Sequence, residues 1–440
     1  MGGPFTGLFR GSPRDQPQTL DLRGSGFVGW DDNLLAQLPG AGIGEQFGGV
    51  DPRLVSRGLA NGFQGALDYG FRRSGTRTSV NLGAAGTVQQ FTSGSGNDPF
   101  RFYSYGVSAG LMTKITNRSS MGLSAATGFA PFYQYAPFLK NTASEESPVS
   151  SDYGFAVNSE WVRSTSAGLS FSNQLSRRTS VNAGISWDKR FIPGEQEGGT
   201  DTRAAIVGIS HALTRKLSFR FGYGLQEYRN GLAAGDPVRG QMIDIGLSYG
   251  DGLTLTFGRH YTLSMSASAS IYKNGNPRLV LATGKSTAFA VNGAATLSRS
   301  IGRTWGTSIG YARTTSYMVG FSDLITLDSA NAGIGGPITE RLHFSAGAGA
   351  SRGQQVFATS SGSLVAYTGS TRLSFALFSY LGLYAQASYY KYSVPSGFSN
   401  FGFVPDLDRR SATVGLTTWL PLIKQRRPRT DSGQTTAGQP

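Results

Sequence analysis

Residues 263–271 read LSMSASASI, a strict alternation of apolar and small polar side chains. Residues 243–249 read IDIGLSY and alternate in the same way. Side chains two positions apart lie on one face of a β-strand but on nearly opposite sides of an α-helix. Both segments are therefore predicted to be strands that have one apolar face and one polar face.

Short polar turns, most of them basic, join such strands in pairs along the whole chain. The predicted turns are 72–77, 114–118, 176–178, 214–216, 258–261, 300–303, 337–341 and 378–380. The connections between pairs are longer and rich in Gly, Pro, Asn and acidic residues, as at 137–152, 193–200 and 394–408. Eight short turns give about 16 strands, and an opening strand near 20–30 and a closing strand near 412–420 raise the number to about 18.

The weakest of these strands is 325–334, because Asp328 and Asn331 interrupt its alternation. Without this strand the predicted number falls to about 16. An even number of strands, with short turns at one end and long connections at the other, is typical of a bacterial outer-membrane protein. The predicted fold class is thus all-β, a transmembrane antiparallel up-and-down β-barrel, closed because hydrocarbon cannot hydrogen-bond a free strand edge.

Aromatic residues of the apolar phase are expected to form two girdles at the water–lipid interfaces. They recur close to the short turns and again about eight to ten residues away, roughly one membrane crossing. The residues predicted for the girdles are Trp30, Tyr105, Phe129, Trp187, Tyr249, Trp305, Phe344, Tyr367 and Tyr389.

The polar phase is predicted to line a water-filled lumen, since a barrel of about 18 strands is too wide to be filled by its own side chains. Ser, Gly, Thr, Ala and Asn dominate this phase, and its charges are few and mixed. A hydroxyl-rich wall would let a polyhydroxyl solute slide past, although small residues also suit a closely packed barrel wall. The luminal tyrosines would stack on sugar rings or, alternatively, pack a loop into the barrel mouth. The residues predicted to line the lumen are Arg23, Arg72, Glu160, Arg220, Asp244, Ser264, Ser266, Ser268, Arg372, Tyr384 and Tyr390.

The predicted organisation is an N-terminal periplasmic segment at 1–18, the barrel at 19–422 and a disordered basic periplasmic tail at 423–440. No apolar run of roughly 18 residues exists, which excludes a transmembrane helix. Residues 1–18 contain no signal-peptide apolar region. Since an outer-membrane protein needs a signal peptide, we expect that it was removed or lies upstream.

The chain is strongly basic, with 40 Lys and Arg against 26 Asp and Glu. The basic residues recur at the short turns and do not form one patch, so we predict a cationic collar at the periplasmic rim and no nucleic-acid partner. The simplest partners for the collar are the head groups of outer-membrane lipids, and the alternative is an anionic polymer or protein in the periplasm. The collar comprises Arg72, Arg73, Arg77, Lys114, Arg118, Arg177, Arg178, Arg215, Lys216, Arg259, Arg299, Arg303 and Arg341.

Nothing in the sequence predicts an enzyme, a cofactor or a metal site. There is no Cys, and the three histidines, His211, His260 and His343, are all predicted near the periplasmic ends of strands. No catalytic triad, metal-ligand spacing or phosphate-binding loop is present. Asp406 and Asp408 are expected in a loop, where they would be solvated.

The opening strand at 20–26 (LDLRGSG) leads to Trp30-Asp31-Asp32-Asn33, and units such as LSFS at 169–172 and LSRRTSV at 175–181 recur. In these features the chain resembles outer-membrane β-barrel proteins associated with exopolysaccharide export. The resemblance implies a pore that translocates a secreted polysaccharide and is paired with periplasmic export proteins.

Two alternatives remain open at this point. One is a general diffusion porin for small hydrophilic solutes, and the other is a non-transporting barrel that serves as an adhesin or membrane scaffold. The segment 33–58, with Leu34, Leu35 and Leu38, is a candidate for an inward constriction or plug.

Overall fold

The structure, a computed structural model, contains only β-strands as regular elements in the part of the chain that it describes. The described residues are 18–31, 58–72, 77–93, 100–131, 161–191, 199–214, 217–230, 238–249, 255–257, 261–273, 284, 286–302, 304–317, 324–357, 362–378, 380–393 and 406–423. They include no helix long and apolar enough to cross a bilayer.

The strands are β1 Gln18–Asp31, β2 Gly58–Arg72, β3 Thr78–Ser93, β4 Phe100–Lys114, β5 Ser119–Pro131, β6 Trp161–Gln174, β7 Thr179–Phe191, β8 Gly199–Ala212, β9 Leu217–Asn230, β10 Val238–Tyr249, β11 Leu255–Phe257, β12 Tyr261–Lys273, β13 Thr287–Ile301, β14 Trp305–Tyr317, β15 Leu324–Pro337, β16 Leu342–Gln355, β17 Leu364–Phe378, β18 Leu381–Ser393 and β19 Asp406–Pro421.

The strands form one antiparallel sheet that closes on itself. Neighbours in the sequence are neighbours in the sheet, and the last strand, β19, pairs with β1. Because β10 and β11 both pair with β12, the 19 strands occupy 18 positions around the barrel. The predicted all-β, antiparallel up-and-down barrel of about 18 strands is confirmed, and all eight predicted short turns lie at junctions between paired strands.

The closing seam is continuous. β1 and β19 pair over residues 21–31 and 411–421. Beyond the ladder, the backbone N–H of Leu422 donates to the carbonyl of Leu20 at 2.7 Å. On the other side of β19, the N–H of Trp419 donates to the carbonyl of Tyr380 at 3.1 Å. Every described strand except the three-residue β11 therefore pairs with a neighbouring strand on each side.

Four of the short turns share one construction. Their sequences are ITNR at 115–118, LSRR at 175–178, LTRK at 213–216 and ITER at 338–341. The hydroxyl oxygen at the second position accepts hydrogen bonds from backbone N–H groups two or three residues later, which closes the turn locally. These bonds reach Thr116 from Arg118 and Ser119 (3.1 and 3.0 Å), Ser176 from Arg178 and Thr179 (3.2 and 3.0 Å), Thr214 from Leu217 (2.9 Å) and Thr339 from Arg341 and Leu342 (3.3 and 3.1 Å).

The weakest predicted strand forms as β15, and the two residues that blurred its pattern lie on opposite faces. Asp328 lies on the outer face, where the Tyr311 hydroxyl donates to its Oδ1 at 2.6 Å and Arg313 Nε lies 3.6 Å away. Asn331 lies on the inner face opposite Gly310, whose missing side chain leaves room for the Asn331 amide. Both polar residues thus have a local partner, and the alternation is intact.

One detail of the predicted strands is wrong. Asp406 and Asp408 lie within β19 and not in a loop, because Asp408 pairs across the sheet with Lys391. The long connection expected at 394–408 therefore ends before Asp406, and the one expected at 33–58 ends before Gly58.

The cross-strand registers give every strand an inner and an outer face. The outer face carries large apolar side chains that are exposed around the whole barrel. They include Val28, Phe63, Val88, Val107, Leu123, Leu169, Ile185, Val207, Phe221, Ile245, Val291, Ile309, Leu373, Leu383 and Val414. On β9 this run extends from Leu217 to Leu225, about 27 Å of strand, or about 20 Å along the barrel axis at a tilt of about 40°.

Candidate functional site

The inner face of the barrel differs between its two halves. On β3–β8 no described inner-face residue is buried. On β9, β10, β12–β19 and β1, every strand has an inner-face residue that is buried. The two halves of the inner face are called here the open wall (β3–β8) and the covered wall (β9–β19 and β1).

Small and hydroxylated side chains form the open wall. Its one described ion pair joins Asp188 and Arg190 at 3.3 Å, near the long-connection end of β7. Serines and glycines on β5 and β6 interlock: Gly122 lies opposite Ser170, and Ser124 lies opposite Gly168. The exposed members of the open wall are Asn81, Ala85, Ser108, Met112, Lys114, Ser124, Ser170, Gln174, Asn182, Ser186 and Ile206.

The covered wall centres on an aromatic and cationic cluster. Tyr384 on β18 is 1% exposed, and the Arg372 guanidinium lies 4.4 Å from the centroid of its ring. Arg372 Nε also donates to Ser374 Oγ at 3.2 Å. Phe27 on β1 packs against Tyr384 from across β19. The cation therefore rests on an aromatic face, which stabilises a guanidinium that is largely removed from water.

Gly415 on β19 makes this arrangement possible. It lies between Phe27 and Tyr384 in the register of the sheet. A Cβ at this position would lie 2.7 Å from Tyr384 Cε1 and would also contact the carbonyl oxygen of Gly26. The tyrosine ring thus occupies the space over a glycine of the neighbouring strand, a packing known to compensate for glycine in sheets.

A second covered region lies near the long-connection end of β12–β15. Tyr272, Ala290, Leu324 and Phe357 form a buried cluster there. The Tyr272 hydroxyl donates to the backbone carbonyl of Thr315 at 3.1 Å, which anchors the ring to the wall. Apolar and aromatic residues thus take up inner space on the covered wall at two places.

The registers place the predicted lumen residues on the inner phase. Arg23 and Ser268 are partly exposed, Arg220 is exposed, and Arg372, Tyr384 and Tyr390 are buried at 7%, 1% and 5%. Four other predicted lumen residues have backbones that pair with inner-phase positions, but the structure does not describe their side chains. They are Arg72, Asp244, Ser264 and Ser266. Glu160 lies outside the described residues. That any of these side chains contacts a solute stays a prediction.

The predicted girdle residues lie on the outer phase in the register. Tyr105 and Phe129 stack at the long-connection end with ring centroids 5.4 Å apart. Trp305 and Phe344 approach at 6.2 Å at the short-turn end, where Trp305 Nε1 donates to the carbonyl of Pro337 at 2.9 Å. Trp30, Tyr367 and Tyr389 are exposed, Trp187 is half-buried, and only the backbone of Tyr249 is described. Their role at a membrane interface stays a prediction.

Charges are distributed unequally between the two ends of the barrel. All described ion pairs lie toward the long connections: Asp188–Arg190, Asp201–Arg203, Glu227–Arg229, Glu227–Arg239 and Asp328–Arg313. At the short-turn end, six exposed collar residues take part in no ion pair within the described chain. They are Arg77, Lys114, Arg118, Arg177, Arg178 and Arg341. Of the other collar residues, Arg299 is exposed, and Arg73, Arg215, Lys216, Arg259 and Arg303 lie outside the described residues.

The two described histidines lie near the short-turn ends of their strands, and His260 lies outside the described residues. His211 lies on the outer phase of β8 and shares a hydrogen bond of 2.9 Å with Thr179 Oγ1. His343 lies opposite Pro337 and Ser374 on β16. No group of His, Asp or Glu among the described residues could hold a metal ion.

The inner-face residues that the sequence prediction did not name include Phe27, Arg409 and Trp419, which are 6%, 4% and 9% exposed. Phe27 and Trp419 are large and apolar, so they differ from the small polar residues that dominate the inner face. The alternation alone nevertheless predicts the inner face for both residues. Phe27 shares its phase with Arg23, and Trp419 shares its phase with Thr413.

Comparison with known proteins gives distant structural similarity alone. No protein-family model matches the chain, and no curated protein is similar to it in sequence. Similar solved structures include three Pseudomonas aeruginosa proteins. OccK11 (OpdR) has a TM-score of 0.44 and 13% identity and covers 95% of this chain and 100% of its own. OpdO has a TM-score of 0.45, 14% identity and coverages of 92% and 98%. OccK2 (OpdF), solved in complex with glucuronate, has a TM-score of 0.45, 11% identity and the same coverages. Similarity at this level does not assign the fold, which follows from the closed hydrogen-bonded sheet.

Proposed function

We propose that this chain is a bacterial outer-membrane channel through which small hydrophilic solutes diffuse along the open wall. The observation that carries the proposal is a closed 18-position sheet with an exposed apolar outer face and an inner face left uncovered on β3–β8. Exposed apolar side chains all around a barrel are costly in water and stable in lipid. Barrels of 16–18 strands leave an aqueous channel.

The covered wall favours small solutes over a polymer. Buried inner side chains on β9, β12, β13, β15–β19 and β1 occupy part of the barrel cross-section, so the passage is off-centre and narrower than the sheet would permit. Arg372 and Tyr384 lie within the covered cluster, and the hydroxyls of Ser108, Ser124 and Ser186 face the passage. A wall of hydroxyls and small residues, with one described ion pair near its long-connection end, selects weakly by charge.

Polysaccharide translocation is the second candidate. It is supported by the same hydroxyl-rich open wall, on which a chain of sugar rings could slide without strong retention. It requires a bore wide enough for a glycan chain and periplasmic export proteins as partners. The partial covering of the inner face weighs against this candidate.

The proposed orientation places the short turns and both ends of the barrel in the periplasm. Gln18 and Pro421 both lie at the short-turn end, as an even number of strands demands. Long connections would then face the exterior, and the collar cations would lie near the inner-leaflet phosphates. Residues 423–440 would extend into the periplasm.

Cysteine labelling tests which wall lines the passage, and the absence of native Cys makes the labelling unambiguous. Ser186→Cys lies on the open wall, and Ser351→Cys lies at a similar depth on the covered wall, where Ser351 is 5% exposed. A positively charged, water-soluble methanethiosulfonate is added to each variant during single-channel recording in planar bilayers.

We expect the current of the Ser186→Cys channel to fall stepwise on modification, while the Ser351→Cys channel keeps its current. Equal modification of both variants would mean that the covered wall also lines the passage. A folded protein that shows no current in either variant would favour the non-transporting scaffold.

A further inference from the structure

Two hairpins carry the same group of four residues on the outer face, just beyond the apolar band at the long-connection end. Box A is Trp187 and Lys189 on β7 with Asp201 and Arg203 on β8. Box B is Tyr389 and Lys391 on β18 with Asp408 and Arg410 on β19. In both, the aromatic residue lies opposite the arginine and the lysine lies opposite the aspartate.

In each box the aspartate accepts hydrogen bonds from its neighbours, and in box A the arginine side chain is more exposed than the aspartate. In box A, Trp187 Nε1 and an Arg203 nitrogen donate to the two oxygens of Asp201 at 3.0 and 3.1 Å. The Asp201 side chain is 20% exposed, whereas that of Arg203 is 57% exposed. In box B, the Tyr389 hydroxyl donates to Asp408 at 3.5 Å, and the Arg410 guanidinium lies 5.9 Å from the Tyr389 ring centroid. Each box therefore presents two cations against one acid.

Box A continues across the next two strands as an alternating pattern of charges. Glu227 on β9 lies opposite Arg203 and, on its other side, opposite Arg239. It pairs with Arg229 at 2.7 Å and with Arg239 at 3.1 Å, and both arginines are more than half exposed. Over β7–β10 four cations thus face outward against two acids, a surface suited to phosphate groups.

An apolar groove on the outer face accompanies each box. One of about 550 Å³ crosses β3–β7 and ends at Trp187 of box A; its wall includes Leu82, Leu123 and Ile185. The other, of about 690 Å³, lies over the closing seam, on the two strands of box B and on β1–β3; its wall includes Phe63, Leu383 and Val414. In box A the aromatic residue itself lines the groove, and in box B the groove lies on the same two strands, nearer the short turns. A cationic group beside an apolar groove matches a lipid with a phosphorylated head and acyl chains.

We infer that boxes A and B, each with its groove, bind a phosphorylated glycolipid of the outer leaflet. This inference rests on the orientation given with the proposed function, in which the long connections face the exterior. The arginines bind phosphate groups through two parallel hydrogen bonds, and the lysines bind them as point charges. Asp201 and Asp408 can accept hydrogen bonds from sugar hydroxyls. Trp187 and Tyr389 lie at the boundary between head group and acyl chain, where amphipathic aromatic rings are favoured.

A third site on the outer face of the barrel resembles the boxes but lacks one cation. On β14 and β15, Tyr311, Arg313 and Asp328 repeat the layout, but Ala330 stands where the boxes have arginine. This third site is electrically neutral, so it should not hold a phosphorylated lipid. Arg313→Gln is therefore the matched control for neutralisation of a box.

Native mass spectrometry of the full chain in uncharged detergent, titrated with bis-phosphorylated lipid A, tests the inference. The wild-type protein should retain up to two lipids. The double variants Lys189→Gln/Arg203→Gln and Lys391→Gln/Arg410→Gln should each lose one lipid, with affinity for it reduced about thirtyfold. Arg313→Gln should bind like the wild type, and phosphatidylglycerol should bind more weakly than lipid A.

Equal binding of phosphatidylglycerol and lipid A would overturn the choice of a glycolipid, and unchanged binding in both double variants would overturn the boxes. Single-channel conductance of the same variants distinguishes a failure of the channel proposal from a failure of the lipid-binding proposal. Lost lipid binding with normal conductance is the expected result for the double variants. Absent conductance with intact lipid binding would refute the channel and not the boxes.

Discussion

At the scale of single residues, the covered cluster depends on one glycine. Gly415→Ala would place a methyl group against the Tyr384 ring, 2.7 Å from Cε1, and against the Gly26 carbonyl. Either the ring or the strand must move, and overpacking of this kind costs about 1–3 kcal/mol. We therefore predict a lower free energy of unfolding in urea for the variant in lipid vesicles. Gly306→Ala is the control, because nothing lies within 4 Å of its Cβ position. Equal losses in the two variants would show that the effect is not due to Tyr384.

Tyr311 supports the outward-facing acid on β15. Its hydroxyl donates to Asp328 at 2.6 Å. Tyr311→Phe removes this hydrogen bond to a charged group, and we predict a loss of about 1 kcal/mol in unfolding free energy. Tyr367→Phe on β17 is the matched control, because Tyr367 is also exposed on the outer face and its hydroxyl has no hydrogen bond within the described chain. A similar loss in the control would contradict a specific role for Tyr311.

At the scale of elements, the repeated turn stabilises the short-turn end through its hydroxyl. Thr339→Val keeps the branched shape but removes the acceptor of two backbone N–H bonds, at 3.3 and 3.1 Å. We predict a loss of about 1 kcal/mol in unfolding free energy, measured in the same vesicles. Glu340→Gln changes the neighbouring exposed residue and should leave stability unchanged. No difference between the two variants would mean that water replaces the lost bonds without cost.

The strands and short turns could be predicted from sequence because both depend on local patterns. Alternation fixes which residues share a face, and the turn residues fix where the chain reverses. Even Asp328, which blurred the pattern, obeys it once Tyr311 and Arg313 lie beside it on the neighbouring strand.

The division of the inner face could not be predicted from sequence. Alternation assigns Ser186 and Ser351 to the same inner face, but it does not tell that Ser186 is exposed and Ser351 buried. That difference depends on the residues that surround each side chain in three dimensions, which no local sequence pattern encodes. Boxes A and B were missed for a similar reason: their four residues come from two strands and meet only through the register.

At the scale of the whole molecule, the two ends of the barrel differ in charge chemistry. The long-connection end carries ion-paired networks on the outer face, and the short-turn end carries exposed cations without acidic partners in the described chain. Unpaired cations at a membrane surface are attracted to anionic lipid, at about 1 kcal/mol for each Lys or Arg. We predict that Arg178→Gln/Arg341→Gln weakens binding to phosphatidylglycerol vesicles at low salt and leaves conductance unchanged. Unaltered vesicle binding would contradict the lipid role of the collar.

The most direct test of the channel is single-channel conductance of the refolded protein in planar bilayers, with poly(ethylene glycol) of graded size added on both sides. The proposed off-centre passage predicts steady openings whose conductance falls with small polymers and is unaffected by large ones, because large polymers cannot enter. A correctly folded barrel without any conductance would contradict the channel. Openings that admit even the large polymers would contradict the narrowed passage and favour polysaccharide translocation.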